Sequence, residues 1–516
     1  MGKKMLSRIK INQSIRLNIF VFFSILSLIC TVEAKTEPYN IIWVMAEDIG
    51  QDLECYGMKG VKTPNLNRLA KEGTLYTNCF VTNSICSPSR SAMMVGASQN
   101  TFDAQHHRSN RDKPLPTPLM PMTYWLREQG YTAILGHEKV FNYGMKVDCN
   151  FKVDTFGEYD GVSKFGLFDK KLSFTSDDQP FYNHIQLKVT HRGDWWADIR
   201  DKSKAPVKLD EIELPPYMAD TPEIRYDWAC YLDTIEYADM EVGLLMEDLK
   251  SKGLYNNTII IFIGDNGRCN IRGKGYLYDP GVRVPLIVWA PGLVEAGKLN
   301  DDLLSTLDIT ASIVDLSGSA VPDYMTGTPF IGKPVTSKKE FIHSARDIWD
   351  EVDECSRLIR DKKFAYIKNY MPQVSLDAKQ AYLDLNRPAV HVMRDLKDKG
   401  KLKVNEKAFF EENKQVEELY DIERDPHQIN NLANNPEYKR VLATMREREA
   451  GWKQNNVDFG LKDLNKRQPG TVKAKVVWDW LKVNKPEIIS DFKRGKLMKS
   501  QQLSKKVTLE IKQQQK

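Results

Sequence analysis

An α/β fold built on a large, mostly parallel sheet flanked by helices is what this sequence predicts, on three observations. Short apolar runs rich in β-formers occur at residues 40–45, 131–135, 180–189 and 258–263 and read as buried strands. Segments with helix-start signals or helical periodicity separate them, at residues 64–73, 121–130, 220–252 and 303–316. Three of the strands end abruptly in carboxylate, amide or imidazole side chains, at the edge where open α/β sheets hold their ligands. The alternation stops around residues 334–339. This divides the chain into a leader at 1–34, a main domain at 35–335, a smaller subdomain at 336–460 and an extension at 461–516.

At 516 residues the chain can bury a large core in more than one domain. Its net charge of +5 is unevenly spread. Residues 1–34 carry +4 and residues 461–516 carry +10, and subtracting both leaves −9 for the body. No nucleic-acid partner is expected of an acidic body, and an anionic substrate must meet a local cluster of cations. The leader reads as a secretory signal. Lys3, Lys4, Arg8, Lys10 and Arg16 precede an apolar run at 19–29, and Val32-Glu33-Ala34 forms a cleavage site. The run is short for a bilayer span, so export to the periplasm or the medium is expected, without a stable membrane span. Cleavage removes Cys30 and leaves Cys55, Cys79, Cys86, Cys149, Cys230, Cys269 and Cys355, whose spacing suggests neither a disulfide framework nor a zinc site.

The strand at 40–45 runs into Ala46-Glu47-Asp48-Ile49-Gly50. Adjacent carboxylates repel unless a cation joins them, and hard cations such as calcium or magnesium take oxygen ligands; a solvated acidic turn is the competing reading. In the next segment Pro64 opens a helix with Leu66, Leu69 and Ala70 on its apolar face, and Gly73 closes it. The polar segment 101–108 cannot be core, and His106, His107 and Arg108 face either a substrate or solvent. The strand at 180–189 ends in Thr190-His191. The helix at 220–252 has Leu232, Ile235, Val242, Leu245 and Leu249 as core positions. The strand at 258–263 ends in Gly264-Asp265-Asn266-Gly267, either a turn or a second pair of oxygen ligands at the same sheet edge.

Between these elements lies C-S-P-S-R-S-A-M-M-V-G, residues 86–96. Cys86 stands four residues before Arg90, at a turn that opens a helix, a setting that favours thiolates and anions. Cys-x-Pro-Ser-Arg resembles the signature of the type I sulfatases of the alkaline phosphatase superfamily. Residues 56–80 and 273–292 are also similar to that family, and residues 357–370 and 417–433 resemble its smaller C-terminal subdomain. The resemblance covers roughly residues 39–460. It implies a large mixed, mostly parallel sheet flanked by helices, followed by an α+β subdomain with an antiparallel sheet.

For the site, the resemblance implies that a formylglycine-generating or equivalent maturation enzyme oxidises Cys86 to formylglycine (3-oxoalanine), whose hydrate attacks sulfur. It implies metal ligation by Glu47, Asp48, Asp265, Asn266 and an oxygen from modified residue 86, an all-oxygen set suited to Ca2+ more than Mg2+; Glu47 stands where the family usually has aspartate. Arg90, Lys139 and Lys274 are expected against the sulfuryl oxygens, and His191 at the leaving oxygen. Aligning Lys139 with the family's lysine puts Asn142 near the usual histidine and leaves His137 as the substitute base. His107, His191, Lys274 and Arg346, the last beside Asp347, are the expected substrate contacts, while Arg283 is expected to organise its loop. The implied activity is hydrolysis of sulfate esters on a sulfated polysaccharide or oligosaccharide, with algal ulvan or carrageenan as examples. Two alternatives stand: a phosphoric ester hydrolase of the same superfamily, and a non-catalytic binder of sulfated glycans. The basic residues 461–516 form either a solvated face or a contact to an anionic polymer.

Overall fold

The run that begins at Asn40 forms the strand Asn40–Ala46, buried over its whole length. The computed structural model describes residues 38–157, 166–193, 195–334, 338–350, 352–378, 380–462, 464–467, 482–484 and 486–487. The leader and most of the basic extension lie outside the described residues. The strand Asn40–Ala46 pairs in parallel with Phe181–Leu187 on one side and Thr258–Gly264 on the other. Burial on both faces explains why these strands read as continuous apolar runs rather than alternating ones. Thr132–Leu135 and Lys170–Lys171 extend the sheet in parallel beyond Phe181–Leu187.

Beyond Thr258–Gly264 the direction reverses. Arg283–Trp289 runs antiparallel to both Thr258–Gly264 and Thr74–Phe80, and Lys298–Asn300 and Leu304–Ser305 pair in parallel with Thr74–Phe80. The result is a mixed, mostly parallel nine-stranded sheet. The helices form where expected, with ends trimmed by their caps. Pro64–Glu72 and Pro222–Ser251 each start on a proline, and Thr306–Leu316 starts at a capping box of Ser305 and Asp308.

The second sheet is antiparallel, in the order Ile342–Arg346, Ser356–Arg360, Phe364–Asn369, Glu417–Asp421. The helix Lys439–Asn455 packs on it through Leu442 and Met445, against Ile359, Tyr366 and Leu419. Packing continues past residue 460, since Leu461 and Leu464 lie against Val352, Cys355 and Met371. The two sheets are stitched beside the Cys86 turn: Ala345 N donates to Thr82 O at 2.9 Å, and Asn83 bridges Ala345. All seven cysteines of the described chain are free thiols. Among the described residues no helix is long and apolar enough to cross a membrane.

Candidate functional site

Strand register assembles the centre. Ala46 is paired with Gly264 on one side and Leu187 on the other. The residues that follow, Glu47-Asp48 and Asp265-Asn266, therefore leave neighbouring strands one interstrand spacing apart, about 4.8 Å. Cross-bonds lock the turn: Asp265 N donates to Ala46 O at 3.0 Å, Ile49 N to Asn266 O at 3.1 Å, and Asp48 N to Asp265 Oδ1 at 3.0 Å. Asp48 adopts a left-handed backbone, with φ of 52°, a conformation that costs energy in a residue with a Cβ and is held here by its neighbours. From the third strand end, the short turn Lys188–Thr190 delivers His191.

Cys86 is the first residue of the helix Cys86–Val95, all ten residues of which are buried. Its Sγ lies 3.8 Å from Asp48 Oδ1. Glu47, Cys86 and His191 each present a ligand atom within 4.8 Å of the others. One turn along the helix, Arg90 donates through Nε and Nη2 to Asp265 Oδ2 at 3.0 and 2.7 Å, and it also bonds Gln186 Oε1. Ser89 Oγ donates to Asp265 O at 2.6 Å, which binds the helix to the neighbouring strand end.

Cations compensate the buried carboxylates. Lys274 Nζ donates to Asp48 Oδ1 at 2.6 Å, and Asn266 Nδ2 donates to the same oxygen at 3.1 Å. Burial alone would raise Asp48, but the charge and hydrogen bond of Lys274, with the Asn266 amide, hold it well below the usual carboxylate range. Asp48 in turn keeps Lys274 well above the ordinary lysine value against the pull of burial. Asp265 is raised by burial and by the like charges of Asp48 and Glu47, although Arg90 opposes this. His191 is held well below its ordinary value by burial, with Lys274 and Lys146 opposing protonation and Asp48 favouring it. The expected thiolate setting at Cys86 does not form: burial pushes the thiol up to about 12, although Lys274 pulls it down.

Two acceptors bear on metal binding. Glu47 Oε1 and Asn266 Oδ1 are buried with no hydrogen-bond partner, an arrangement that costs free energy unless a cation or donor is supplied. With the other carboxylate oxygens of Glu47, Asp48 and Asp265 they form an oxygen-only donor set that fits a hard divalent cation.

The lysine at Glu47 is Lys146, which sequence reasoning missed. Its Nζ bonds Glu47 Oε2 and lies 3.5 Å from Asp148 Oδ2. Lys139 is exposed. The difference lies in the loop after Thr132–Leu135, which closes on itself where His137 N donates to Tyr143 O at 3.0 Å. Gly136 and Gly144 take φ of 75° and 61° at its ends. A Cβ on Gly136 would sit 2.2 Å from Tyr143 O, and one on Gly144 would sit 2.8 Å from Gln186 O. The excursion carries Lys139 and Asn142 outward, and the chain re-enters beside Gln186 with Met145, Lys146 and Asp148. The pair of glycines bracketing the loop was the available signal.

Two other expectations change, those for His137 and Arg346. His137 is buried, with Nε2 3.2 Å from Asp248 Oδ2 and its ring against Phe174, so its polar edge serves the long helix rather than Cys86. Arg346 lies over Tyr276 at 4.9 Å and 3.9 Å from Glu354, in a pocket at the second sheet lined by Tyr278, Lys414 and Glu418. Its neighbour Asp347 pairs with Arg357 and Arg467 at 3.2 and 3.0 Å. His107 is adjacent to the centre through Arg108, whose N donates to Ser87 Oγ at 2.9 Å, and its Nδ1 lies 2.7 Å from Asp350 Oδ1. Tyr382, which no motif marked, lies under Lys274 at 5.6 Å and 6.1 Å from the His191 ring.

A family model described as "Sulfatase" matches residues 39–319. The chain is 30% identical over 460 residues to an "Ulvan-active sulfatase" of Formosa agariphila, covering 81% of this chain and 75% of the relative. It is 26% identical over 479 residues to the "N-sulphoglucosamine sulphohydrolase" of Homo sapiens, covering 82% of this chain and 91% of the relative. In fold it is similar to a solved 2-O GAG sulfatase, with a TM-score of 0.57 at 17% identity over 84% of this chain and 94% of the other. It is also similar in fold to the phosphonate monoester hydrolase of Silicibacter pomeroyi, with a TM-score of 0.54 at 15% identity over 82% and 97% of the two chains.

Proposed function

The chain belongs to the sulfatase family and is a sulfuric ester hydrolase, and from that premise we propose that it is an exported enzyme that removes sulfate from a sulfated polysaccharide or its oligosaccharides. The ulvan-active relative makes an ulvan-type substrate the first to test. The observation that carries the reading is the placing of Glu47 and Asp48 against Cys86, with Asp265 and Asn266 hydrogen-bonded to Asp48 and with Glu47 Oε1 and Asn266 Oδ1 unpartnered.

The family generally uses formylglycine and a divalent metal: the aldehyde hydrate supplies the attacking hydroxyl, and the metal offsets charge on the sulfuryl oxygens. Residue 86 is the position for the first, and Glu47, Asp48, Asp265 and Asn266 for the second, with Ca2+ favoured by the all-oxygen set. The chain's own groups then have separate tasks. Lys146 and Lys274 supply fixed positive charge on two sides of residue 86, where charge on the sulfuryl group grows. Arg90 is committed to Asp265 and Gln186, so it holds the carboxylate in place. His191 faces the departing oxygen, and Lys274, kept protonated by Asp48, holds its positive charge beside it.

The test is mass spectrometry of the peptide containing residue 86, together with sulfate release from a panel of sulfated oligosaccharides. The expected outcome is formylglycine at position 86, and a fully active enzyme with an unmodified Cys86 would falsify the reading. Chelation with EGTA should abolish release and added Ca2+ should restore it; activity indifferent to chelator argues against the metal assignment. Because the fold is shared with a phosphonate monoester hydrolase, matched phosphate and sulfate esters assayed side by side decide the reaction class, with the sulfate ester expected to be preferred.

A further inference from the structure

Next to the reactive centre, three cations converge on one carboxylate. Asp148, whose side chain is 5% exposed, is in direct contact with Arg111 Nη2 and lies 3.5 Å from both Arg108 Nε and Lys146 Nζ. Lys146 is shared with Glu47, so the arginine pair is incompletely neutralised. The Arg108 and Arg111 side chains are 48% and 44% exposed. A guanidinium has five N–H donors in a planar fork, and half-exposure leaves part of that fork turned to solvent. The pair is also close to the reacting residue, since Arg108 N donates to Ser87 Oγ at 2.9 Å and Ser87 follows Cys86.

The loop that presents the pair is held in shape. Arg108, Asn110 and Asp148 have φ of 56°, 53° and 58°, left-handed values that cost energy in residues with a Cβ and persist only where the surroundings impose them. Asn150 Nδ2 donates to Ala104 O at 2.8 Å and His106 O at 2.7 Å, and Asn150 N donates to Ser91 Oγ at 2.7 Å on the Cys86 helix. The arginines are thus carried by a loop tied to the nucleophile's own helix, which lowers the ordering cost of binding.

We propose that Arg108 and Arg111 form a second anion subsite beside the reactive sulfate position. It takes an oxyanion group, a carboxylate or a second sulfate, carried by the same or the adjacent sugar. The proposal rests on the sulfatase reading of the Cys86 centre. It makes the enzyme selective for doubly anionic sugars, with Asp148 holding the two guanidinium groups side by side.

Three substrates test this: a neutral oligosaccharide with one sulfate, the same oligosaccharide with an added uronate, and the same with a second sulfate. For the wild type, kcat/KM is expected to be higher for both doubly anionic substrates, and the larger of the two gains identifies the preferred group. In Arg111→Ala, and more so in Arg108→Ala/Arg111→Ala, the ratio of kcat/KM for doubly over singly anionic substrates should fall about tenfold, the size expected for losing a charge-assisted hydrogen bond. The loss should appear in KM, and Arg111→Lys should restore part of it. If the arginines serve only to neutralise Asp148, the ratio stays constant while all three substrates lose rate together, and the proposal fails. A wild type with equal kcat/KM on all three overturns the subsite alone. One that releases no sulfate from any of them overturns the sulfatase reading and the subsite with it.

Discussion

At Cys86, burial outweighs the surrounding positive charge. A thiol pushed up to about 12 is almost wholly protonated at neutral pH, and a protonated thiol is a poor nucleophile. The unmodified side chain is therefore chemically quiet, and the proposed formylglycine would supply the reactivity that the thiol lacks. Cys86→Ser is expected to abolish sulfate release, as measured by ion chromatography of the reaction mixture. The two lysines of the following loop separate in the same way. Removing Lys146, which reaches Glu47, takes away one of the fixed charges at the centre and should cost roughly 10²–10³ in kcat/KM, the range seen for single preorganised donors. Lys139→Ala, at an exposed site, should stay within about twofold; a loss at Lys139 equal to that at Lys146 would reverse the assignment. The Cys-x-Pro-Ser-Arg motif was legible because its function sits in a contiguous stretch. Lys146 was not, because the destination of a loop lysine depends on where the chain turns back.

Among the elements, the antiparallel sheet has a structural task where a substrate contact was expected. Arg357, at no measurable exposure, joins Asp347 to Asp458, with Nε 2.7 Å from Asp458 Oδ2 and Nη2 3.2 Å from Asp347 Oδ1. The sheet is thereby tied to the segment after the helix Lys439–Asn455, and through Asn100 Nδ2, which donates to both aspartates, to the main domain. Arg357→Ala leaves Asp458 buried without its cation and Asp347 with Arg467 alone, and should lower stability by about 3–5 kcal/mol, measurable by urea unfolding of the purified protein. A change below about 1 kcal/mol would mean that Arg467 and Asn100 suffice to hold Asp347 and Asp458. The neighbouring strands Ile342–Arg346 and Ser356–Arg360 alternate too weakly to announce themselves, and Arg346 and Asp347 could be assigned to the second sheet only once their partners were visible.

For the whole molecule, buried titratable groups set a pH window for stability. His184, His343 and His391 are each lowered from 6.5 to about 3, by burial above all. Because the unfolded chain binds these protons more tightly, their contribution is fully present above about pH 6.5 and is lost as the pH falls towards 3. Glu241 behaves oppositely: burial raises it from 4.5 to about 8, although the Phe141 backbone N–H opposes this. Its contribution is fully present below about pH 4.5 and is lost as the pH rises through 8. The thermal unfolding midpoint should therefore fall on both sides of neutrality. Glu241→Gln should remove the decline that runs from about pH 4.5 to 8 and leave the histidine-driven loss below about pH 6.5, now steeper, in place; an unchanged slope between pH 6.5 and 8 would assign that loss to other groups.

Alone, the sequence determined the parallel core strands, the polar pairs at their ends and the Cys86 motif, because burial on both faces and abrupt strand termination are written in consecutive residues. Tertiary structure alone decided that Ala46 and Gly264 stand in register, so that Glu47-Asp48 and Asp265-Asn266 converge on Cys86. It also decided that Lys146 reaches Glu47 while Lys139 is exposed, that His137 turns to Asp248, and that Arg108 and Arg111 share Asp148 at the edge of the centre. The physical reason is common to all of these. Strand pairing and loop closure bring together side chains far apart in the chain, and no local pattern of residues specifies which of them will meet.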